Sequence, residues 1–176
     1  MKKTYKILSI IVFMTVFMSC DLSKDLESPN DVGVDAADPD LLMNKVQTDF
    51  GLFFSKIAGN YNVNTRGVNQ LVRMRAMTGG DTYDRAFTSQ LENDIWTDAY
   101  QGVLINIETL LPIAEEKDLN VHLGVAKILK AYVYLTLVDV YGDVPFTEAL
   151  QGIDGVFNPN VDQGSTIYTA ALALLT

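Results

Sequence analysis

Tyr141-Gly142-Asp143-Val144-Pro145-Phe146-Thr147-Glu148-Ala149-Leu150 decides how this chain is read. It stands directly after a long apolar segment and says how that segment stops. Gly142 can take the left-handed backbone conformation that closes a helix. Asp143 can hydrogen-bond its own backbone and set a turn. Pro145 holds Val144 extended and blocks helical continuation. By itself the stretch is a stiff junction between a helix and a loop.

The helix that it ends is expected over residues 121–141. Val121, Val125, Ile128, Tyr132 and Leu135 recur as one stripe, and Ala131, Tyr134, Val138 and Tyr141 as another. From 131 to 141 only Asp139 carries charge. A helix that is apolar all round is expected to be buried all round. Valine, threonine and tyrosine also favour strands, but Lys127, Lys130 and the length of the segment select a helix.

Working towards the N-terminus, a helix is expected over 89–117. Its main stripe is Trp96, Tyr100, Val103, Ile107, Leu110 and Ala114, with Ile95 and Leu104 widening it. Asp94, Asp98, Gln101 and Glu108 lie on the other side, where Ile105 also falls. Such a helix is touched by neighbours on more than one side. Pro112 removes one backbone hydrogen bond and is expected to kink it. The turn at 118–120 makes the two long helices a hairpin, with a faint likeness to a tetratricopeptide repeat in Trp96-x3-Tyr100, Gly124 and Ala126. Asn106 is placed to hydrogen-bond a neighbouring backbone. A first helix starts at Asp38 or Pro39, buries Leu42, Val46, Phe50, Phe53 and Ile57, and stops at Gly59-Asn60. A weaker one is expected over 65–77, with Arg73 and Arg75 in its last turn. A final helix begins near Gln163 and includes Ile167, Tyr168, Ala171 and Leu175. It carries no stop signal, and the chain reads as the N-terminal part of something longer.

The 176 residues suit one compact domain, and 48% are hydrophobic, enough for a sizeable core. The first 19 residues read as a processed lipoprotein signal. Lys2, Lys3 and Lys6 precede a 12-residue apolar run, 7–18, broken only by Ser9 and Thr15. That run is shorter than the ~20 residues a spanning helix needs. It ends at Phe17-Met18-Ser19-Cys20, a lipobox-like sequence with phenylalanine where leucine is usual. Cys20 is the chain's one cysteine, so no intrachain disulfide can form. Lipidation of Cys20 accounts for the lone thiol, and several acyl chains at ~0.8 kcal/mol per buried methylene anchor a protein stably. Residues 20–38 read as an acid-rich tether, which as a flexible coil spans roughly 20–25 Å. The helical domain then occupies 39–176.

Taking the three leader lysines from 13 basic residues leaves 10 against 22 acidic ones, a net charge of -12 after Cys20. That field repels nucleic acid and anionic headgroups and is indifferent to neutral sugars or peptides. Chemistry is bounded too. There is one histidine, His122, no G-x-S-x-G, no H-E-x-x-H, no paired-cysteine spacing, no P-loop and no G-x-G-x-x-G. Nothing calls for a metal or cofactor. Asp94 and Asp98, four apart, are the pair to compare with glycosidase carboxylates, and they read as a solvated face. Trp96 could stack a sugar, but its stripe assigns it to the core. The loop at 79–87 is a better place for a ligand. Asp81 and Asp84 offer polar contacts there, and Tyr83 and Phe87 offer flat surfaces on which sugar rings stack.

Joined to its helix, the opening stretch becomes Ala126-x3-Lys130-Ala131-Tyr132-x2-Leu135-x3-Asp139-x-Tyr141-Gly142-Asp143-Val144-Pro145. This resembles the SusD/RagB family of outer-membrane nutrient-binding lipoproteins. Trp96-x3-Tyr100 with Asn106, and Asn158-Pro159-Asn160-Val161-Asp162-Gln163 ahead of Ile167-Tyr168, extend the likeness. The resemblance implies an all-α fold, a scaffold of tetratricopeptide-like helix pairs incomplete at the C-terminus. It implies a non-catalytic protein, lipid-anchored and exposed on the outer membrane. Such proteins cap a SusC-like TonB-dependent transporter and pass it an oligosaccharide or peptide. It places ligand contacts in the loop ahead of the Trp96 helix, and most of the remaining site beyond Thr176. Two rival readings stay open: a helical-repeat scaffold that binds only proteins, and a lipoprotein glycan hydrolase whose acids lie past Thr176.

Overall fold

Asp38 starts the first helix with its side chain. Its Oδ1 accepts from the backbone N–H of Asp40 at 2.8 Å and of Leu41 at 3.4 Å, while Pro39, at the first helical position, has no N–H to satisfy. A computed structural model describes residues 37–58, 72–74, 76 and 89–176, within the compact unit Ala37–Thr176. The signal segment, Cys20, the tether as far as residue 36, and Asp81, Tyr83, Asp84 and Phe87 lie outside the described residues.

The described part is all-α. Helix α1 runs Pro39–Ala58. A second helical rod is continuous from Ser89 to Glu116 and comprises α2 (Ser89–Thr97), a π-helical segment (Asp98–Leu104) and α3 (Ile105–Glu116). Helix α4 runs Asn120–Tyr141, and α5 runs Gly164–Ala173. A single 3₁₀ turn, Gly152–Asp154, lies in the loop between them. Helix α1 packs on the π segment, α3 and α4, and α4 also packs on α3 and α5. Val46 and Phe53 of α1, Ile95, Val103, Ile107 and Leu110 of the rod, and Val133, Tyr134 and Leu137 of α4 meet in the core. Burial of each such side chain is worth about 1.5–3 kcal/mol.

Several expectations need correcting. Val72 to Met74 do not close a helix: they form a turn and bend, with Arg73 at φ +60°. The remainder of that expected helix lies outside the described residues, apart from the irregular Ala76. The rod is not uniformly α-helical. Ile105 N–H bonds to Tyr100 O, five residues back, and this wider turn brings Ile95, Ala99 and Leu104 into the core beside the expected stripe. Trp96 leaves that stripe and is 36% exposed. Finally, α4 is not buried all round. It is long and apolar enough to cross a membrane by length and composition, and its Ala131–Leu137 side is packed as a core helix. Yet Val121, Ile128 and Tyr132 stay exposed because α1, α3 and α5 cover only part of its circumference. The exposed edge of Tyr132 meets Phe50 and Phe54 of α1 in an aromatic cluster.

The hairpin turn closes by two backbone bonds. Leu119 N–H reaches Ala114 O at 2.8 Å and Asp118 N–H reaches Glu115 O at 3.2 Å. Asp118 takes φ +54° between them, the geometry of a Schellman motif with aspartate where glycine is usual. Asn106 behaves as expected: its amide donates to Gly102 O at 2.5 Å and also faces Asp49 of α1 at 3.5 Å. Asp49, a buried carboxylate, is paired with Lys45 one turn earlier. Ion pairs cross the bundle from Lys56 to Asp98 at 2.7 Å and from Lys130 to Glu108 at 2.5 Å. Asp98 is thus bound to a neighbouring helix, and the solvated face expected for it is corrected. His122 meets Asp40 at 2.9 Å, tying the start of α4 to the start of α1.

Candidate functional site

Gly142 ends α4 with its N–H still bonded to Val138 O at 2.8 Å, and then turns at φ +82°, ψ −110°. This region of backbone space belongs to glycine, and it lies outside the left-handed helical well expected from the sequence. Asp143 does not fold back on its own backbone either. Its Oδ1 accepts from Gly164 N–H at 2.9 Å and so serves the first turn of α5, where Gln163 at the cap supplies no side-chain bond.

The extended Val144 pairs with Asp162 in an isolated antiparallel bridge, Asp162 N–H to Val144 O at 2.9 Å. The Asp162 carboxylate then accepts from Phe146 N–H at 2.9 Å, from Thr147 N–H at 2.8 Å and from the Thr147 hydroxyl. These bonds, the Thr147 hydroxyl first, hold the carboxyl below the usual aspartate range. Twelve residues apart in sequence, Glu148 Oε2 accepts from Asn160 N–H at 2.8 Å and its side-chain amide at 3.0 Å. The Pro145 carbonyl accepts from the buried Tyr100 hydroxyl at 2.7 Å. Burial pushes the Tyr100 phenol up, with the Asp162 charge adding to it. Tyr100 is therefore a fixed neutral donor, and it locks the loop onto the π segment.

Beside this clamp lies a hollow of about 430 Å³, whose walls include Trp96, Tyr100, Gln101, Pro145, Leu150 and Phe157. The indole of Trp96 rests on the Tyr100 ring with centroids 4.8 Å apart and meets Tyr141 edge-on at 5.5 Å. It also borders a shallow, open depression lined by Ser89, Glu92, Asn93 and Tyr141. The Tyr141 hydroxyl donates to the Glu92 carbonyl at 3.4 Å, and burial with the nearby Glu92 charge raises its pKa to about 12. Among the described residues, no group of three or more histidine, cysteine, aspartate and glutamate side chains is placed to hold a metal ion.

A family model described as SusD-like, starch-binding and associating with the outer membrane, matches residues 29–176. The chain belongs to this SusD-like family. The match takes in every helix described above and both sides of the clamp. Neither the curated proteins nor the solved structures gave a match. In this SusD-like chain the structure gives roles to residues for which sequence reasoning had none. Asp162 and Glu148 stood inside quoted motifs, but their partners lie 15 and 12 residues away, and nothing local marks such a pairing. For Trp96 the sequence carried no signal of exposure: its stripe assigned it to the core, and the neighbouring Ile95 is fully buried.

Proposed function

We propose that this SusD-like chain is a surface-exposed, non-catalytic lipoprotein of the outer membrane, anchored through Cys20, that binds an oligosaccharide and passes it to a SusC-like TonB-dependent transporter. The observation that carries this reading is the SusD-like match over residues 29–176, which begins just after a lipobox-like Cys20. Six acidic residues of the described part are engaged in ways that support a binding role over a catalytic one. Asp49, Asp98 and Glu108 are paired with lysines, and Asp143, Glu148 and Asp162 accept from backbone N–H groups. A carboxylate so engaged has little freedom to exchange a proton with substrate. The Gly-rich loop at 79–87, with Asp81, Tyr83, Asp84 and Phe87, is the ligand contact proposed on sequence grounds.

Metabolic labelling with a fatty-acid analogue tests the anchor. Label on the wild type and its loss in Cys20→Ser is the expected result, and label that persists in the variant overturns it. Affinity purification from native membranes is expected to bring down a large β-barrel protein; a clean monomer contradicts the transporter partnership.

A further inference from the structure

We infer that the cleft divided by Trp96 is a sugar-contact site in its own right, one that takes a pyranose ring of a neutral oligosaccharide against the indole. The inference rests on the glycan-binding reading above and names a place for the ligand separate from the loop at 79–87. Three observations converge on it. First, the chain's single tryptophan is 36% exposed although its sequence position assigns it to a core-forming stripe, and the rings of Tyr100 and Tyr141 pack against it. A flat apolar surface next to solvent matches the C–H face of a pyranose, and packing against two neighbouring rings lowers the cost of ordering it on binding.

Second, the two sides of the indole differ in chemistry. On one side Glu92, Asn93 and Ser89 offer a carboxylate, an amide and a hydroxyl, the set that hydrogen-bonds ring hydroxyls. On the other side Gln101 is the polar group among Pro145, Leu150 and Phe157, and Phe157 stands 81% exposed as a second aromatic surface. A chain of sugar units with alternating apolar faces and hydroxyl edges can run past the indole from one side to the other. The hollow on the Phe157 side is within the size range of small-molecule sites, about 300–1,000 Å³, and the Glu92 side is a shallow depression open to solvent. Third, charge selects among sugars. The Glu92 carboxylate and the net charge of -12 after Cys20 disfavour uronates and sulfated glycans, which leaves neutral units.

The single tryptophan makes the test direct. The full-length chain is titrated with maltoheptaose, cellohexaose, xylohexaose and mannohexaose, by calorimetry and by intrinsic tryptophan fluorescence in parallel. At least one is expected to bind with a shift or quench of Trp96 emission that saturates at the calorimetric Kd. Phe157→Ala and the double change Glu92→Gln with Asn93→Ala keep the reporter, and each is expected to weaken that binding roughly tenfold, the loss of one good contact. Trp96→Phe keeps the packing on Tyr100 and is expected to weaken binding less than Trp96→Ala. If calorimetry registers a sugar while Trp96 emission stays unchanged and the Phe157 and Glu92/Asn93 variants bind as the wild type does, the cleft is not the site, and glycan binding elsewhere on the chain stands. If no sugar in the panel binds, the glycan reading itself fails and this inference falls with it.

Discussion

The helical hairpin of α3 and α4 and the loop of residues 142–163 are held together by opposite means. The hairpin is an apolar seam, with Ile107, Leu110, Ala114, Ala126, Val133 and Leu137 out of water. The loop has few buried side chains apart from Val144 and Pro145, and three of its carboxylates fasten it: Glu148 and Asp162 to backbone N–H groups within the loop, and Asp143 to the first N–H of α5. A segment without periodicity cannot be fixed by a stripe. It has to be fixed at points, and charge-assisted bonds from a carboxylate to backbone N–H are the strongest points available. The lesson concerns charge as well as shape. A surplus of acid reads from composition as a solvated exterior, yet here part of it is internal fastening.

The largest effect that tests this contrast belongs to the hairpin. Leu137→Ala, at a fully buried position, is expected to cost about 2–5 kcal/mol in chemical denaturation. A loss of well under 1 kcal/mol would mean that the seam is not the main support. Next comes the crossing of the two regions. A Cβ on Gly164 would lie 2.8 Å from Val138 Cγ1 and 3.3 Å from the Gly142 carbonyl, so Gly164→Ala requires the Val138 side chain or the start of α5 to shift. It is expected to cost about 1–3 kcal/mol by overpacking, read as a lower urea midpoint.

Asp162→Asn follows, at about 1 kcal/mol near neutral pH, because solvent screens the charged acceptor bonds that it loses. Its pH dependence is the sharper reading. The Asp162 pKa is lowered in the folded protein, so the stability it contributes is present above the ordinary aspartate value of about 4 and is lost as pH falls through the lowered folded value. The stability gap between wild type and Asp162→Asn is therefore expected to be constant from pH ~7 to ~5 and to close in more acid solution. A gap independent of pH down to ~2 would remove the carboxylate from the account. The smallest effect lies in the hairpin turn. Asp118→Gly relieves φ +54° on a residue with a Cβ and is expected to stabilise by up to about 1 kcal/mol. A drop in thermal midpoint would show instead that the aspartate side chain is needed there.

The same contrast explains what could be read from the sequence. Helix existence was legible because a stripe repeats. Val46, Phe53, Val103, Ile107 and Leu110 were expected inside and are buried. Asp38 or Pro39 was read as the start of the first helix, and the helix begins at Pro39 with Asp38 capping it. The π segment was not legible, because Tyr100, Val103 and Ile107 keep three- and four-residue spacings that an α-helix also shows; Ile95 and Leu104 widening the stripe were its trace. The exposure of Val121, Ile128 and Tyr132 depends on which neighbours are present, and a hydropathy pattern carries no such information. The loop clamp was half legible: Gly142 and Pro145 marked the junction, while the partners of Asp143, Glu148 and Asp162 came from 12 to 21 residues away. Of the site, the exposed face of Trp96 was hidden by its own stripe.

Because Glu148 is bonded to Asn160, and Thr147 to Asp162, the residues between these pairs form a closed excursion whose two ends are fastened independently of its contents. Ile153 at 99% exposure and Phe157 at 81% ride on that excursion. Its length and wording can therefore drift, at about 0.6 kcal/mol for each doubling of a flexible loop, while the helices beneath keep their register. A lineage could remodel one rim of the Trp96 cleft by insertion alone, acquiring new tastes without renegotiating its architecture.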